Sequence, residues 1–254
     1  MQAHEREAFA RDGYVVLADV VRGQLLDQVT REVGRLATST GSAGPRLRSI
    51  NLVPDEAPAA FSALRQSGLS EILDSLVSPG HLELVSDDAQ FVVNVPPTMV
   101  DPSMPHIDYH VPGAERPNSF TALVAILLSD QQGGEEGNVW VWPGTHHLYA
   151  EYLAAYGPCS LLEHGGSISR AVHVTLPRPT PVCGKAGDVF VAHPLLGHAT
   201  GPNISDRERK AVYFRLRRTD HLERWEACLT DPLLEYDVAP RRASAGGRSN
   251  KNVS

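Results

Sequence analysis

The chain is poor in cysteine. Its three thiols, Cys159, Cys183 and Cys228, lie far apart in 254 residues and form no CxxC pair, so no disulfide framework is expected and any single bridge would leave one thiol over. A reducing, cytoplasmic setting fits that usage. Long apolar runs are missing too. The longest, Leu123 to Leu128, is too short to cross a bilayer and suits a buried strand. The charged start Met1-Gln2-Ala3-His4-Glu5-Arg6-Glu7 lacks the apolar stretch of a secretion signal. Basic charge is in deficit: 23 Lys and Arg against 30 Asp and Glu give a net charge of −7, with no basic patch to serve as a nucleic-acid footprint. These absences leave a soluble globular protein whose expected partner is a small molecule, neither a nucleic acid nor a membrane. Oligomeric state is not readable.

What is present is enough for one buried core. A single domain is expected over residues 1–240, followed by a disordered tail at 241–254, where Arg, Ser, Gly, Asn and Lys leave almost no apolar residue. The first third reads as helices at about 4–11, 23–36, 57–66 and 70–77, with a strand at 14–17. In the second of these helices Leu25, Val29, Val33 and Leu36 recur at the interval that buries one stripe. After Ser78-Pro79-Gly80 the pattern turns to short strands, at 81–85, 89–95, 120–128, 139–142, 171–176, 188–192, 197–200 and 211–217, with a short helix at 150–156 and a mobile cover at 157–170. Helices first and short strands afterwards suit an α+β fold, a double-stranded β-helix (jelly-roll or cupin-like barrel) buttressed by the N-terminal helices.

The chemistry concentrates at His106-Ile107-Asp108 and at His198, with Arg209 eleven positions beyond it. On a strand, residues two apart project to the same side, so His106 and Asp108 can grip one ion while Ile107 points into the packing. Two imidazoles and one carboxylate on one face of a divalent metal leave the other face open, the ligand set of a non-haem iron(II) oxygenase. A guanidinium facing the same cavity binds a carboxylate with two parallel N–H bonds, which a Lys cannot do. The spacing alone is weak, because His81-Leu82-Glu83 and His221-Leu222-Glu223 repeat it. His193 competes with His198, and Arg207 and Arg215 with Arg209. Asn94 stands where an inward polar side chain can meet a co-substrate, and Tyr109, His110, Trp140 and Trp142 adjoin the metal residues as candidate pocket lining. Thiols are expected to be buried or incidental.

Several further stretches carry a resemblance in the same order: Phe9-Ala10-Arg11-Asp12-Gly13-Tyr14-Val15-Val16-Leu17, the His106-x-Asp108 pair, Gly137-Asn138-Val139-Trp140-Val141-Trp142-Pro143-Gly144-Thr145-His146, and Gly187-Asp188-Val189 leading to His198-x-Thr200-Gly201-Pro202-Asn203 and Arg209-Lys210-Ala211. Together they resemble the phytanoyl-CoA dioxygenase family of iron(II)/2-oxoglutarate oxygenases. The resemblance implies Fe(II) on His106, Asp108 and His198, with 2-oxoglutarate and O2 as co-substrates. It places the distal carboxylate of 2-oxoglutarate on Arg209, with Thr200 beside it. It also implies oxidation of a C–H bond of a small organic molecule, with succinate and CO2 as co-products. Relatives that halogenate carry a small residue in place of the acid, so Asp108 favours hydroxylation or a related oxidation, with desaturation, epoxidation and ring formation left open. The rival expectations are a zinc-dependent cupin-like hydrolase or isomerase on the same three ligands, and a non-catalytic small-molecule-binding barrel.

Overall fold

In the computed structural model, residues 1–39, 46–77, 79–86, 89–101, 105–109, 119–158, 160 and 176–238 are described. The expected tail, the strand at 171–176 apart from its last residue and most of the cover at 157–170 lie outside them. Chain order gives α1 (Ala3–Asp12), β1 (Tyr14–Leu17), α2 (Gly23–Ser39), β2 (Leu47–Leu52), α3 (Pro58–Gln66), α4 (Leu69–Asp74), β3 (Leu82–Leu84), β4 (Ala89–Asn94), β5 (Ala122–Leu127) and β6 (Val139–Val141). It continues with α5 (Thr145–Tyr156), β7 (Thr180–Pro181), β8 (Val189–Ala192), β9 (His198–Thr200), β10 (Arg209–Arg218) and α6 (His221–Thr230).

Among the described residues the strands form two antiparallel sheets. The larger runs β1-β8-β5-β10-β4-β2, with β3 also paired to β10, and the smaller runs β7-β6-β9. β5 lies inside the larger sheet and is buried along its whole length, which is why its sequence is continuously apolar instead of alternating. Ala122, Val124 and Ile126 turn to one face, where Phe9 of α1, Val29 and Val33 of α2, Phe61 of α3 and Leu73 of α4 close the core. Leu123, Ala125 and Leu127 turn to the other, against Val139 and Val141 of the smaller sheet. Helices α1 to α4 therefore cover the outer face, and the space between the two sheets holds the inward-facing side chains. Each fully buried Leu, Val or Phe contributes about 1.5–3 kcal/mol.

β2, β7 and α6 were not expected from the sequence. β2 alternates weakly and takes its strand form from pairing with β4 from Leu47–Asn94 to Leu52–Ala89. α5 starts earlier than expected because Gly144, at φ +80°, lets the chain turn directly into a helix at Thr145. It thereby takes in His146 and His147, whose rings lie against the Ala10 carbonyl at 3.2 and 2.9 Å and tie α5 to α1.

One glycine is fixed by close approach. Gly187 sits at φ +94°, and a Cβ there would come 2.3 Å from the Val21 carbonyl oxygen, while its own carbonyl accepts from Val20 and Val21. Gly187→Ala is expected to lower stability by more than the roughly 1–2 kcal/mol of a left-handed non-glycine residue, because the backbone clash adds to it. Thermal unfolding checks this; an unchanged midpoint would contradict it.

Candidate metal centre

Residues 105–109 are not the regular strand the spacing suggests. They form an extended segment bridged to β9, in which His106 N donates to the His198 carbonyl and His198 N to the His106 carbonyl, both at 2.9 Å. That reciprocal pair sets the two imidazoles side by side, ring centroids 4.4 Å apart. Ile107 is 3% exposed and packs in the cluster of Tyr149, Leu153 and Leu195, so alternation turns its neighbours His106 and Asp108 the other way. Asp108 Oδ1 then lies 3.5 Å from His106 Nε2 and 3.8 Å from His198 Nε2. All three donor atoms fall within 4.8 Å of one another, and the 3.5 and 3.8 Å separations from Asp108 Oδ1 lie within the roughly 4 Å that two ligands of one ion can span at bonds of about 2 Å.

The protonation states suit a cation. Nδ1 of His198 lies 3.0 Å from the Leu196 carbonyl; a donated Nδ1–H there leaves the Nε2 lone pair free for a metal. Burial, and after it the neighbouring His106, hold the His198 pKa down to about 4, so the ring is neutral at pH 7. Burial by itself would raise Asp108, but its hydrogen bond to His106, the charge that His198 carries once protonated in acid, and the charge of Arg215 outweigh it and hold the carboxyl well below the usual range. A neutral imidazole and an ionised carboxylate are what a divalent cation requires. The His106 side chain is 48% exposed against 13% for His198, so the cluster opens to solvent on the His106 side.

β10 supplies the second part of the site. Arg209, 1% exposed, faces Asn94 of β4 directly across the sheet. Its Nε donates to Gln131 Oε1 at 3.1 Å and its Nη2 to the Tyr213 hydroxyl, while Nη1 is buried with no partner. Asn94 Nδ2 donates to the Gly201 carbonyl at 3.2 Å, and its Oδ1 is likewise buried and unpartnered. Gly137 makes this fit possible: at φ +78° it comes so close that a Cβ would stand 3.0 Å from both Arg209 Cβ and Asn94 Nδ2. Thr200 and His198 pair across to Val139 and Val141, two residues of the inter-sheet core, so both point inward. The run His198, Thr200, Gly201, Asn94, Arg209 thus links the metal cluster to a buried cation that still offers an N–H. Leaving that group without an anion is costly. The donor set fits a carboxylate.

Other candidates fall elsewhere. Trp140 pairs with Ala199 and so faces away from the inter-sheet space, its Nε1 donating to the Gly134 carbonyl at 3.2 Å; its expected place in the pocket lining is corrected on that ground. Trp142 is 3% exposed, held in the wall. Tyr109 is also taken up by the wall. Its hydroxyl accepts from Ser119 Oγ at 2.8 Å, which also contacts His221 Nε2 at 2.6 Å, and His221 Nδ1 faces Glu235 Oε2 at 2.8 Å. This buried chain ties the metal segment to α6. His110 lies outside the described residues.

The rival ligand pairs separate cleanly. His221 starts α6 with its ring buried, and in a helix Glu223 does not share its face. His81 is exposed beside Asp74. Arg207 is 59% exposed beside Glu136. His193 is buried, with Nε2 2.8 Å from the Pro232 carbonyl and Nδ1 accepting from Leu195 N at 3.0 Å. Burial pushes its pKa from 6.5 down to about 3, against the raising effect of the Pro232 carbonyl. The unfolded chain takes up this proton as pH falls below 6.5, so His193 withdraws stability progressively between about pH 6.5 and 3 and none above. In an NMR titration its ring signals should stay fixed from pH 8 to 5, whereas a midpoint near 6.5 would contradict the buried neutral form.

One residue went unvalued in the sequence, and one entered it only as a rival to Arg209. Gln131 looks like one more polar loop residue, yet it is 1% exposed and holds Arg209. Arg215, the rival to Arg209, has a different partner: its Nη2 donates to Asp108 Oδ2 at 2.6 Å.

The family model described as phytanoyl-CoA dioxygenase (PhyH) matches residues 9–211. Among solved structures, HygX from Streptomyces hygroscopicus with nickel and 2-oxoglutarate bound aligns with a TM-score of 0.59 and 19% identity over 86% of this chain and 88% of that one. The non-heme alpha ketoglutarate dependent carbocyclase SnoK from nogalamycin biosynthesis aligns with a TM-score of 0.62 and 20% identity over 88% and 91%. The epimerase SnoN, in complex with Fe3+, alpha ketoglutarate and nogalamycin RO, aligns with a TM-score of 0.61 and 20% identity over 84% and 82%. A search of the curated proteins finds no match. These identities carry the fold, and the family match carries the rest: the chain belongs to the phytanoyl-CoA dioxygenase family of iron(II)/2-oxoglutarate oxygenases.

Proposed function

We propose that the chain holds one iron(II) ion through His106 Nε2, Asp108 Oδ1 and His198 Nε2, binds 2-oxoglutarate with its distal carboxylate on Arg209, and oxidises a C–H bond of a small organic molecule of specialised metabolism. The observation that carries this is the buried, partnerless Nη1 of Arg209 on the same inter-sheet face as a cluster of two imidazoles and a carboxylate. When bound, iron(II) with 2-oxoglutarate and O2 supplies the oxidation, and succinate and CO2 are the co-products. The two sheets are read as the walls of a double-stranded β-helix, with the site between them.

The chain's own residues bind and orient. Gln131 and Tyr213 each take one guanidinium N–H of Arg209, which fixes the plane of the fork and leaves Nη1 for the diacid. Thr200 offers a hydroxyl on the same side, while the Asn94 amide N–H is held by the Gly201 carbonyl. Leu196 holds the His198 ring in its ligating tautomer. The zinc hydrolase alternative uses the same three ligands but leaves the buried, partnerless Nη1 of Arg209 unexplained. Support for a specialised metabolite comes from HygX, which has been solved with hygromycin B bound, and from SnoN with nogalamycin RO. The acidic balance of the chain speaks against a polyanionic coenzyme-A thioester. The test is conversion of 2-oxoglutarate to succinate with matching O2 uptake: both should require added iron, and an activity that runs without O2 and ignores 2-oxoglutarate would sink the reading.

A further inference from the structure

Resting on that reading of the metal site, we infer that Arg215 is a positioning residue that takes one oxygen of Asp108 so that only the other is offered to the metal. The carboxylate is divided between two neighbours. Oδ1 faces both imidazoles, at 3.5 and 3.8 Å, and Oδ2 accepts from Arg215 Nη2 at 2.6 Å. A carboxylate held from one side in this way cannot turn both oxygens to one ion without breaking a charge-assisted hydrogen bond. The consequence is a count of positions. Three single-atom ligands leave room on an octahedral ion for a bidentate 2-oxo acid and O2, and a two-oxygen Asp108 would remove one of those places.

β10 explains how two guanidiniums divide the work. Arg209, Ala211, Tyr213 and Arg215 share parity and face inward, and six residues of strand separate the two Arg positions by about 20 Å. Arg209 is committed to Gln131 and Tyr213 at one end. Arg215 lies opposite Leu123 of β5 at the other, its guanidinium 5.9 Å from the Phe120 ring centroid, beneath the metal segment. The two cannot exchange roles, because each reaches a different partner. Arg215 Nη2 is thus committed to Asp108 at the metal end of the strand.

The experiment uses the full chain loaded with nickel(II) as a redox-stable ion, in wild type, R215M and R215K. Met keeps a flexible apolar stem against Phe120 but donates nothing; Lys restores one cationic donor. In the nickel-loaded wild-type crystal structure, one Asp108 oxygen should bind the ion and the other remain on Arg215. In R215M both oxygens should turn to the ion, and calorimetric titration should show 2-oxoglutarate binding weakened by about 10–100-fold, the usual effect of removing an outer partner of a ligand. R215K should recover single-oxygen ligation and most of that affinity. Single-oxygen ligation in R215M with affinity within about threefold of wild type, or a nickel-loaded wild type in which Arg215 has left Asp108, would overturn the inference. Should R215M fail to fold, the wild-type complex decides alone on the second criterion. Nickel failing to bind at His106, Asp108 and His198 would instead count against the proposed function.

Discussion

Asp108→Ala is expected to abolish turnover and to weaken metal binding by more than the roughly 100-fold upper range seen for outer partners. The carboxylate is the only anion among the three ligands. Without it two neutral rings must hold a dication, and the Arg215 charge, now without its 2.6 Å partner, adds repulsion at close range. Asp108→Asn isolates the charge from the shape: the amide can occupy the same volume and still ligate through oxygen, but it loses the Coulomb attraction and turns an N–H donor toward either Arg215 or the ion. Its metal affinity should therefore fall between wild type and alanine. Isothermal titration with a redox-stable ion gives the affinities and succinate formation gives the turnover. Alanine and asparagine variants that both retain wild-type affinity would show that the ion sits elsewhere.

Arg209→Lys is expected to raise KM for 2-oxoglutarate by about 100-fold or more while saturating co-substrate restores much of kcat. A hydrogen bond to a charged partner contributes about 1.5–3 kcal/mol, which is roughly 10- to 100-fold, and the planar fork makes more than one in a fixed geometry. An ammonium cannot hold Gln131, Tyr213 and the diacid together, because its donors sit on one nitrogen and are not coplanar, and its reach is shorter. The loss falls on binding that is equal in the ground and transition states, so it appears in KM first. Arg209→Ala goes further: it also strands the Gln131 and Tyr213 polar groups in the interior, so its fall in stability should exceed that of the Lys variant. An unchanged KM in Arg209→Lys would remove Arg209 from the co-substrate site.

How far this site could be read from the sequence depended on the kind of signal. His106, Asp108 and His198 stood out because their order and company form a pattern, and the structure brings their donor atoms together, while His193 spends its ring on Pro232 and Leu195. β5 was legible because a strand buried on both faces is apolar throughout. β2 was not, since most of its residues are only partly buried and its form comes from pairing with β4. α6 was hidden by a mixed sequence whose buried contributions come from His221 and Leu229. Gln131 was not valued at all, and Arg215 was weighed only as a rival to Arg209, not as a partner of Asp108. Their roles arise from contacts 78 and 107 positions along the chain, and nothing local in the sequence records which distant partner a polar side chain meets. Trp140 failed for a simpler reason, because adjacency to the metal strand says nothing about which face a residue takes.

The central claim is that one ion and one 2-oxo acid share the space between the sheets. Anaerobic titration of iron(II) into the chain with 2-oxoglutarate present tests it most directly, through the visible charge-transfer absorption of a 2-oxo acid chelated to iron(II). The account predicts a band that saturates at one iron and one 2-oxoglutarate per chain and is lost in Asp108→Ala; no band in the wild-type chain, or a band undiminished in Asp108→Ala, would contradict it.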